Sequence, residues 1–127
     1  VAERLTIVPP VPSTETPRWL NALDCLVLPS LTRPSWKEQF GRVLVEAMAC
    51  QTPVIGSDSG EIPHVIGDAG LIVAEGDAVA LRQQLARLMT DAALREDLGR
   101  RGRARVLARF TQASVAAATC RFYEAIL

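Results

Sequence analysis

The sequence lacks an excess of charge of either sign. Its 127 residues contain 14 Lys and Arg and 14 Asp and Glu, so the formal net charge at pH 7 is zero. A chain with no net charge has no overall field that would recruit nucleic acid or an anionic membrane. We therefore expect no nucleic-acid partner.

Long apolar runs and a secretory leader are also missing from the sequence. No stretch reaches transmembrane length, and no signal peptide is evident. The three cysteines, Cys25, Cys50 and Cys120, are odd in number, widely spaced and set in apolar segments. This usage predicts buried free thiols in a reducing compartment, and hence a cytoplasmic protein.

Two carboxylates, Glu38 and Glu46, stand eight residues apart in the segment 38–52, EQFGRVLVEAMACQT. The part from 41 to 50 is typical of a helix, and the apolar run 54–56 that follows it is typical of a strand. The order is therefore loop, helix, turn, strand. In parallel α/β sheets, a helix N-terminus reached from the end of a strand is where anionic ligands bind.

The first amides of this predicted helix, those of Arg42, Val43 and Leu44, are expected to have no intrahelical acceptor. Together with the helix dipole they would suit a phosphate or pyrophosphate. Glu38 and Glu46 bracket these amides, and a carboxylate can accept two hydrogen bonds from the vicinal diol of a ribose or hexose. An interpretation without a ligand stays open. In it, Arg42 and Glu46 form an i,i+4 ion pair on the helix surface, and Glu38 is an acid favoured near the helix N-terminus by the helix dipole.

The segment 38–77 closely resembles glycosyltransferase family 4, the retaining, nucleotide-sugar-dependent enzymes of the GT-B fold. The hallmark of that family is two Glu residues separated by seven others, with Phe-Gly between them and Ala-Met after the second. A Pro-Val-Ile strand, a Gly-bearing loop, an Ile-Pro pair and a Gly-Asp-Ala-Gly turn follow here in the family's order. The resemblance runs from about Ile7 to Leu127.

The resemblance implies a role for each residue around the first helix. Glu38, the expected catalytic residue, would contact the hydroxyls of the transferred sugar, and Glu46 would hold the ribose diol. The amides around 40–44 would hold the diphosphate. The expected donor-binding residues are Glu38, Gln39, Phe40, Gly41, Arg42, Val43, Leu44 and Glu46. Gln39 stands where the family most often has Gly, which would narrow the sugar pocket slightly. No metal or other cofactor is expected, so amides and basic side chains would meet the charge of the leaving group.

The resemblance also implies partners. The expected donor is a UDP-, GDP- or ADP-sugar, from which a hexosyl group passes with retention to a saccharide or lipid acceptor in polysaccharide or glycoconjugate synthesis. Complete enzymes of the family carry an N-terminal acceptor-binding domain, which we expect to be absent from 1–127. We expect this chain to be a single domain, part of the donor half, and inactive alone. Two alternatives stay open: a non-catalytic nucleotide-binding module, and a GT-B-fold sugar-nucleotide epimerase.

The order of elements predicts an α/β fold, a Rossmann-like doubly wound parallel sheet of about four strands with a C-terminal helical tail. The strands are predicted at 4–8, 25–28, 54–56 and 71–74. Ser13, Asp77 and Thr111 are predicted helix N-caps. The predicted helix after Asp77 has an apolar face made of Leu81, Leu85, Leu88 and Met89. Since the edge of a partial sheet invites pairing between molecules, a dimer is expected.

The predicted helix 92–110 is basic. It carries six arginines against two acids, and the arginines are Arg95, Arg100, Arg101, Arg103, Arg105 and Arg109. A solvated face is the favoured interpretation, and peripheral contact with anionic lipid or with a second domain is the alternative. In the loop 31–37, Arg33 and Lys37 would either neutralise phosphate or be surface charges, and Trp36 is interpreted as loop packing. His64 is interpreted as a surface or core residue rather than a catalyst.

Overall fold

A three-stranded parallel sheet, in the order β1-β2-β3, lies at the centre of the fold. The computed structural model describes residues 2–127. Strand β1 is Leu26–Leu28, β2 is Val54–Ser57 and β3 is Leu71–Val73. Val27 pairs with Ile55, and Gly56 pairs with Ile72. Since all three strands are parallel, their carboxyl ends meet at one edge of the sheet.

Within residues 2–127, six α-helices and one short 3-10 helix precede, connect and follow the strands. The 3-10 helix is Ala2–Arg4, and the α-helices are α1 (Thr16–Asn21), α2 (Arg42–Ala49), α3 (Ile62–Ile66), α4 (Ala78–Thr90), α5 (Ala92–Arg109) and α6 (Gln112–Ile126). Helix α2 connects β1 to β2, α3 connects β2 to β3, and α4 to α6 form the predicted helical tail. The helix α3 was not predicted, although Pro63 in its first turn and the spacing of its buried residues Ile62, Val65 and Ile66 are typical helix signals.

Helices cover both faces of the sheet, and α5 contributes to each. Val54 belongs to a buried cluster with residues of α1, α2, α3 and α5. Its neighbour Ile55 belongs to a second cluster with Leu88 of α4 and Leu98 of α5. Because successive side chains of a strand point to opposite faces, one apolar run supplies both clusters. The predicted doubly wound α/β arrangement is confirmed.

The predicted strand at 4–8 is wrong, so the sheet has three strands rather than four. After the 3-10 helix the chain runs irregularly, with the side chains of Leu5 and Ile7 exposed. The apolar and β-branched composition that predicted a strand acts only when a neighbouring strand supplies hydrogen bonds and a packed surface. Among residues 2–127 no strand pairs with this segment.

Two of the three predicted N-caps are confirmed. The Asp77 carboxylate accepts a hydrogen bond from the Ala80 amide at 2.8 Å, and the Thr111 hydroxyl accepts one from the Ser114 amide at 3.1 Å. Ser13 is not an N-cap, since α1 begins after Glu15 and no side chain caps it. Pro17, in the first turn of α1, lacks an amide proton and so reduces the need for a cap.

Two burial predictions are wrong. Met89 is 81% exposed, whereas Leu81, Leu85 and Leu88 lie in or against the second cluster as predicted. The three cysteines are free thiols, but Cys120 is exposed because α6 buries none of its residues within the described chain.

The arginines of α5 connect the helix to other elements, so their interpretation as a solvated face is wrong for most of them. Arg103 donates to the Ala49 carbonyl at 2.5 Å. Arg105 donates to the carbonyls of Val65 (2.8 Å) and His64 (2.5 Å), at the end of α3. Arg95 and Arg101 make similar contacts, with the Leu88 carbonyl and with Asp68. A guanidinium group has five N–H donors in a fixed fork, which suits such contacts with free carbonyl oxygens.

Candidate functional site

The candidate site lies at the carboxyl edge of the sheet. The loop after β1, residues 29–41, leads from the sheet to the N-terminus of α2 and carries Glu38. The turns after β2 and β3 meet this loop at the same edge. Ligands of open α/β sheets bind at this edge, because loops from several strands converge there.

Glu38 is half-buried, and three donors hold its carboxylate. The Gly41 amide donates to Oε1 at 3.0 Å and the Phe40 amide to the same oxygen at 3.4 Å. The Ser30 hydroxyl donates to Oε2 at 3.3 Å. A carboxylate has about four acceptor positions, so Glu38 retains acceptor capacity for hydroxyl groups of a ligand.

Fewer amides are free at the start of α2 than the sequence suggested. The Leu44 amide donates to the Gly41 carbonyl at 2.9 Å, so the prediction that it lacks an intrahelical acceptor is wrong. A tight i to i−3 bond of this kind is common in a first helical turn. The amides of Phe40 and Gly41 are engaged by Glu38. Among the described residues, only those of Arg42 and Val43 in this set have no acceptor.

Two glycines allow the Glu38 loop to pass close to its neighbours. Gly41 has φ +78°, and a Cβ there would lie 3.0 Å from the Leu44 side chain and 3.3 Å from that of Leu28. Gly60 has φ +55°, and a Cβ there would overlap the Glu38 carbonyl oxygen. That carbonyl also accepts from the Glu61 amide at 3.3 Å. The backbone of Glu38 is thus fixed against the turn after β2.

Glu46 and Arg42 form an ion pair on the surface of α2. Arg42 Nε lies 3.5 Å from Glu46 Oε1, and the two side chains are 86% and 41% exposed. The i,i+4 pair considered from the sequence therefore forms. Such exposed pairs contribute only about 0–1 kcal/mol, so a ligand hydroxyl could replace Arg42 at Glu46 at small cost.

An open cleft of about 630 Å³ lies beside Glu38. Its walls come from the loop after β1 and from the turn after β2. The lining residues are Thr32, Arg33, Pro34, Ser35, Trp36, Lys37, Glu38, Gln39, Gly60 and Glu61. Arg33 and Trp36 close a short turn through two backbone hydrogen bonds, of 2.8 and 3.1 Å, and the Trp36 side chain is half exposed. The cleft therefore combines carboxylates, two cations and one aromatic ring.

Phe40 does not line this cleft. Its ring packs edge-to-face against Phe110, with centroids 5.8 Å apart. Phe40 instead lines a second cleft of about 590 Å³, between α3 and the α5–α6 junction, together with Arg109 and Arg121. His64 also lies there, exposed, with Nδ1 3.2 Å from Glu61 Oε2. Of the two positions considered from the sequence, surface and core, His64 therefore occupies the surface.

Sequence reasoning missed a set of hydrogen bonds that connects the three turns at the sheet edge. The hydroxyl of Ser57, the last residue of β2, donates to the carbonyl of Ser30, after β1, at 2.6 Å. Thr32, also after β1, donates from its amide and its hydroxyl to the Glu75 carboxylate, after β3. The sequence contains a signal for these bonds. Each predicted parallel strand is followed closely by a small polar or acidic residue, and the carboxyl ends of parallel strands meet at one edge of the sheet.

Residues 2–127 contain neither a cluster of metal-binding side chains nor a membrane-spanning helix. Among residues 2–127, no group of three or more His, Cys, Asp or Glu side chains is arranged to hold a metal ion. The expected metal independence stays a prediction. None of the helices within the same residues is long and apolar enough to cross a lipid bilayer.

Comparison with protein families decides the family. The model of "Glycosyl transferases group 1" matches residues 1–105, most of the chain. This chain belongs to the group 1 glycosyl transferases. The resemblance stated on the motifs of the segment 38–77 is confirmed at the level of the family.

A curated relative and a solved structure agree with this assignment. A D-inositol 3-phosphate glycosyltransferase of Streptomyces bingchenggensis is 34% identical over 125 residues, covering 97% of this chain and 26% of its own length. Sucrose-phosphate synthase from Thermosynechococcus elongatus superposes with a TM-score of 0.83 at 33% identity, covering 98% of this chain and 30% of that one.

A second solved structure matches as well. It is the C-terminal domain of a glycosyl transferase group 1 family protein (LpcC) from Francisella tularensis, with a TM-score of 0.71 and 30% identity over 84% of this chain and 53% of that one. The sheet and its flanking helices therefore correspond to the Rossmann-like C-terminal domain of GT-B glycosyltransferases. The chain spans about a sixth to a quarter of the length of the curated relatives it matches.

Proposed function

We propose that this chain binds the nucleotide-diphosphate sugar of a retaining glycosyltransferase. The observation that carries the proposal is the position of Glu38. Its half-buried carboxylate borders the cleft at the sheet edge and directly precedes a helix N-terminus with two free amides, those of Arg42 and Val43. A donor of this class presents sugar hydroxyls, which need acceptors, and a diphosphate, which needs donors.

The roles follow from that position. Glu38 accepts hydrogen bonds from hydroxyls of the transferred sugar, because its Oε2 has only the Ser30 hydroxyl as a partner. The amides of Arg42 and Val43 hold the diphosphate at the positive end of the helix dipole. Glu46 accepts from the ribose diol, which displaces the weak contact with Arg42.

The charge of the leaving group also needs counter-charge. Arg33 and Lys37 line the cleft and are the cations closest in sequence to Glu38 on its N-terminal side. We propose that they and the α2 amides stabilise the departing nucleoside diphosphate without a metal. The acceptor, a saccharide or lipid, would bind between this domain and a second domain of the enzyme. Accordingly, we expect no measurable transfer by residues 1–127 alone, and turnover in a transfer assay would contradict this.

Titration by protein-observed NMR tests donor binding. Uniformly labelled chain would be titrated with UDP, GDP and ADP, and the amides of 40–46 followed. We expect one of the three to shift the Arg42 and Val43 amides. We expect Glu46→Ala to lower the affinity for that nucleotide by about tenfold, because one or two hydrogen bonds to a charged group are lost.

The control is Glu96→Ala, which removes an exposed carboxylate of α5 far along the chain from the cleft. It should bind as the parent does. Absence of shifts at millimolar nucleotide, in this chain and in the full-length gene product, would overturn the proposal. Equal weakening by Glu46→Ala and Glu96→Ala would overturn the role of Glu46 alone.

A further inference from the structure

Glu75, in the turn after β3, holds Thr32 with both of its carboxylate oxygens. The Thr32 amide donates to Oε2 at 2.7 Å, and the Thr32 hydroxyl donates to Oε1 at 2.5 Å. The two residues are 43 positions apart in the chain. Charge-assisted hydrogen bonds of this length are about twice as strong as neutral ones, and a two-point contact also fixes orientation.

Both partners of this contact are themselves held. The Glu75 amide donates to Asp58 Oδ1 at 2.7 Å, which fixes the turn after β3 against the turn after β2. The Thr32 hydroxyl also lies 3.0 Å from the hydroxyl of Ser59, a residue with no exposed surface. The turns after all three strands therefore meet at Thr32.

Thr32 and Glu38 belong to the same loop, residues 29–41. Thr32 lies two residues after Ser30, whose hydroxyl donates to Glu38 Oε2. Thr32 and Glu38 both line the 630 Å³ cleft, whereas Glu75 does not. Glu75 therefore does not border the cleft itself, and its hydrogen bonds to Thr32 connect it to the loop that does.

We propose that Glu75 is a positioning residue of the donor site, which fixes Thr32 and through it the loop that presents Glu38. The proposal rests on the proposed function, because the position of Glu38 matters only if the cleft binds a donor. The hydrogen bonds from the Thr32 hydroxyl and amide also lower the pKa of the Glu75 carboxyl, so Glu75 is ionised at neutral pH. The loop is thereby held in place before the donor arrives, which reduces the entropy lost on binding.

The first measurement needs no ligand. The Gly41 amide donates to Glu38 Oε1, so its NMR shift reports the position of the Glu38 carboxylate. Hydrogen exchange of the Thr32 amide reports the contact with Glu75. Glu75→Gln should move the Gly41 signal and raise Thr32 exchange by about tenfold, as expected for the loss of one charged acceptor. Glu96→Gln, the matched control on α5, should change neither.

Conservative changes of Thr32 separate positioning from general loosening of the loop. Thr32→Ser keeps the amide and the hydroxyl, so its Gly41 signal should stay at the parent position. Thr32→Val removes the hydroxyl but keeps the amide, so it should move the Gly41 signal in the same direction as Glu75→Gln and by less. The double variant should show less than the sum of the two single effects, because both variants weaken the bond between the Thr32 hydroxyl and Glu75. A Gly41 signal that is unmoved by Glu75→Gln, or additive effects, would overturn the proposal.

Donor binding gives the second measurement. The nucleotide that binds the parent would be titrated into each variant, with its sugar attached so that Glu38 is engaged. We expect Glu75→Gln to raise the dissociation constant of the nucleotide sugar by about fivefold or more, with a much smaller effect on the bare nucleotide. Equal affinity of parent and Glu75→Gln for the nucleotide sugar would overturn the functional part of the proposal. Failure of the parent to bind any nucleotide would instead overturn the proposed function, while the ligand-free shifts would still decide whether Glu75 positions Glu38.

Discussion

Glu38 and Glu46 meet different surroundings in the fold, although the sequence presents them as a matched pair. Glu38 is half-buried and held by two amides and a hydroxyl, so its carboxylate has a defined direction. Glu46 lies on the helix surface with Arg42 as its partner. Of the two, Glu38 is the carboxylate held in a fixed orientation. This is consistent with a role next to the reacting group, where a small displacement of a side chain lowers the reaction rate strongly.

Gly60 should be intolerant of a side chain. Both Gly60 and Gly76 have positive φ, so Ala at either site costs about 1–2 kcal/mol of backbone strain. At Gly60 the new Cβ would also overlap the Glu38 carbonyl oxygen, whereas at Gly76 the nearest atom is the Leu31 side chain at 4.0 Å. We expect Gly60→Ala to destabilise the chain by about 1–3 kcal/mol more than Gly76→Ala in urea unfolding.

The same pair of variants tests the site. Gly60→Ala should displace the Glu38 loop and shift the Gly41 amide signal, and Gly76→Ala should leave that signal in place. If both variants lose the same free energy of unfolding, the close approach of Gly60 to Glu38 is not a constraint in solution.

Asp68 gives the stability a pH dependence. Its hydrogen bond and ion pair with Arg101, 3.0 Å from Asp68 Oδ2, lower the pKa of the carboxyl below 3.8. A carboxyl with a lowered pKa in the folded state contributes stability above its unfolded pKa, and this contribution is lost as the pH falls through the folded pKa. We expect the melting temperature of the parent to exceed that of Asp68→Asn at pH 6, and the difference to shrink below pH 3.8.

The choice of Asn keeps the main-chain contact, because Arg101 also donates to the Asp68 carbonyl oxygen. The difference between parent and variant thus reports the carboxylate charge. A difference that stays constant from pH 6 to pH 2.5 would show that the ion pair does not form in solution.

At the level of elements, α5 is held in place by arginine side chains that the sequence pattern predicts to form a solvated face. Four of its six arginines contact carbonyl or carboxylate oxygens of other parts of the chain, from Ala49 to Met89. These oxygens belong to helix ends and turns, where carbonyl groups have no intrahelical donor. The basic face therefore stabilises the packing of α2, α3 and α4 around α5.

Close packing of α5 against the end of α2 depends on a glycine. A Cβ at Gly99 would overlap the carbonyl oxygen of Gln51, which is backbone and cannot move aside. Helix propensity alone favours Ala over Gly by about 0.8–1 kcal/mol. We expect the cost of this overlap to exceed the gain in helix propensity. Gly99→Ala should therefore destabilise the chain by about 1–3 kcal/mol in urea unfolding.

Ala104 is the matched control, because it lies exposed on the same helix. There Ala104→Gly should be the destabilising direction, by about 1 kcal/mol. A stabilising Gly99→Ala would show that the two helices are free to separate.

At the level of the whole molecule, two apolar surfaces lack cover within the described residues. β1 and β3 are the edges of the sheet. Helix α6 and the residue after it expose an apolar set at 49–104% of each residue: Val115, Phe122, Tyr123, Ile126 and Leu127. Exposed strand edges and contiguous apolar patches both favour association. We expect the isolated chain to self-associate, with an apparent mass in light scattering that rises with concentration.

Two variants distinguish the surfaces. Ile72→Lys places a charge on the edge strand β3, at a side chain that is 39% exposed, and Phe122→Glu places one on α6. The dimer expected from the sheet edge should be weakened by the first and not by the second. The reverse would assign association to α6, and a monomer at all concentrations would contradict the prediction.

Local signals in the sequence were sufficient for most elements. The apolar runs 25–28, 54–56 and 71–74 predicted the three strands, and Asp77 and Thr111 marked helix starts, because the interactions involved join residues a few positions apart. The signature around Glu38 and Glu46 was sufficient for the family. The strand at 4–8 failed because a strand needs a partner that composition does not supply.

Only the tertiary structure decided which of these residues meet. Glu75 binds Thr32 across 43 positions, and Arg105 binds Val65 across 40. No local pattern reports such contacts, because they depend on how the parallel strands bring their carboxyl ends together and how α5 crosses the other helices. The sequence alone determined three strands, most of the helices and the family. The engagement of the Phe40 and Gly41 amides by Glu38, the anchoring of the loop by Glu75 and the contacts of the basic helix follow from packing between distant segments.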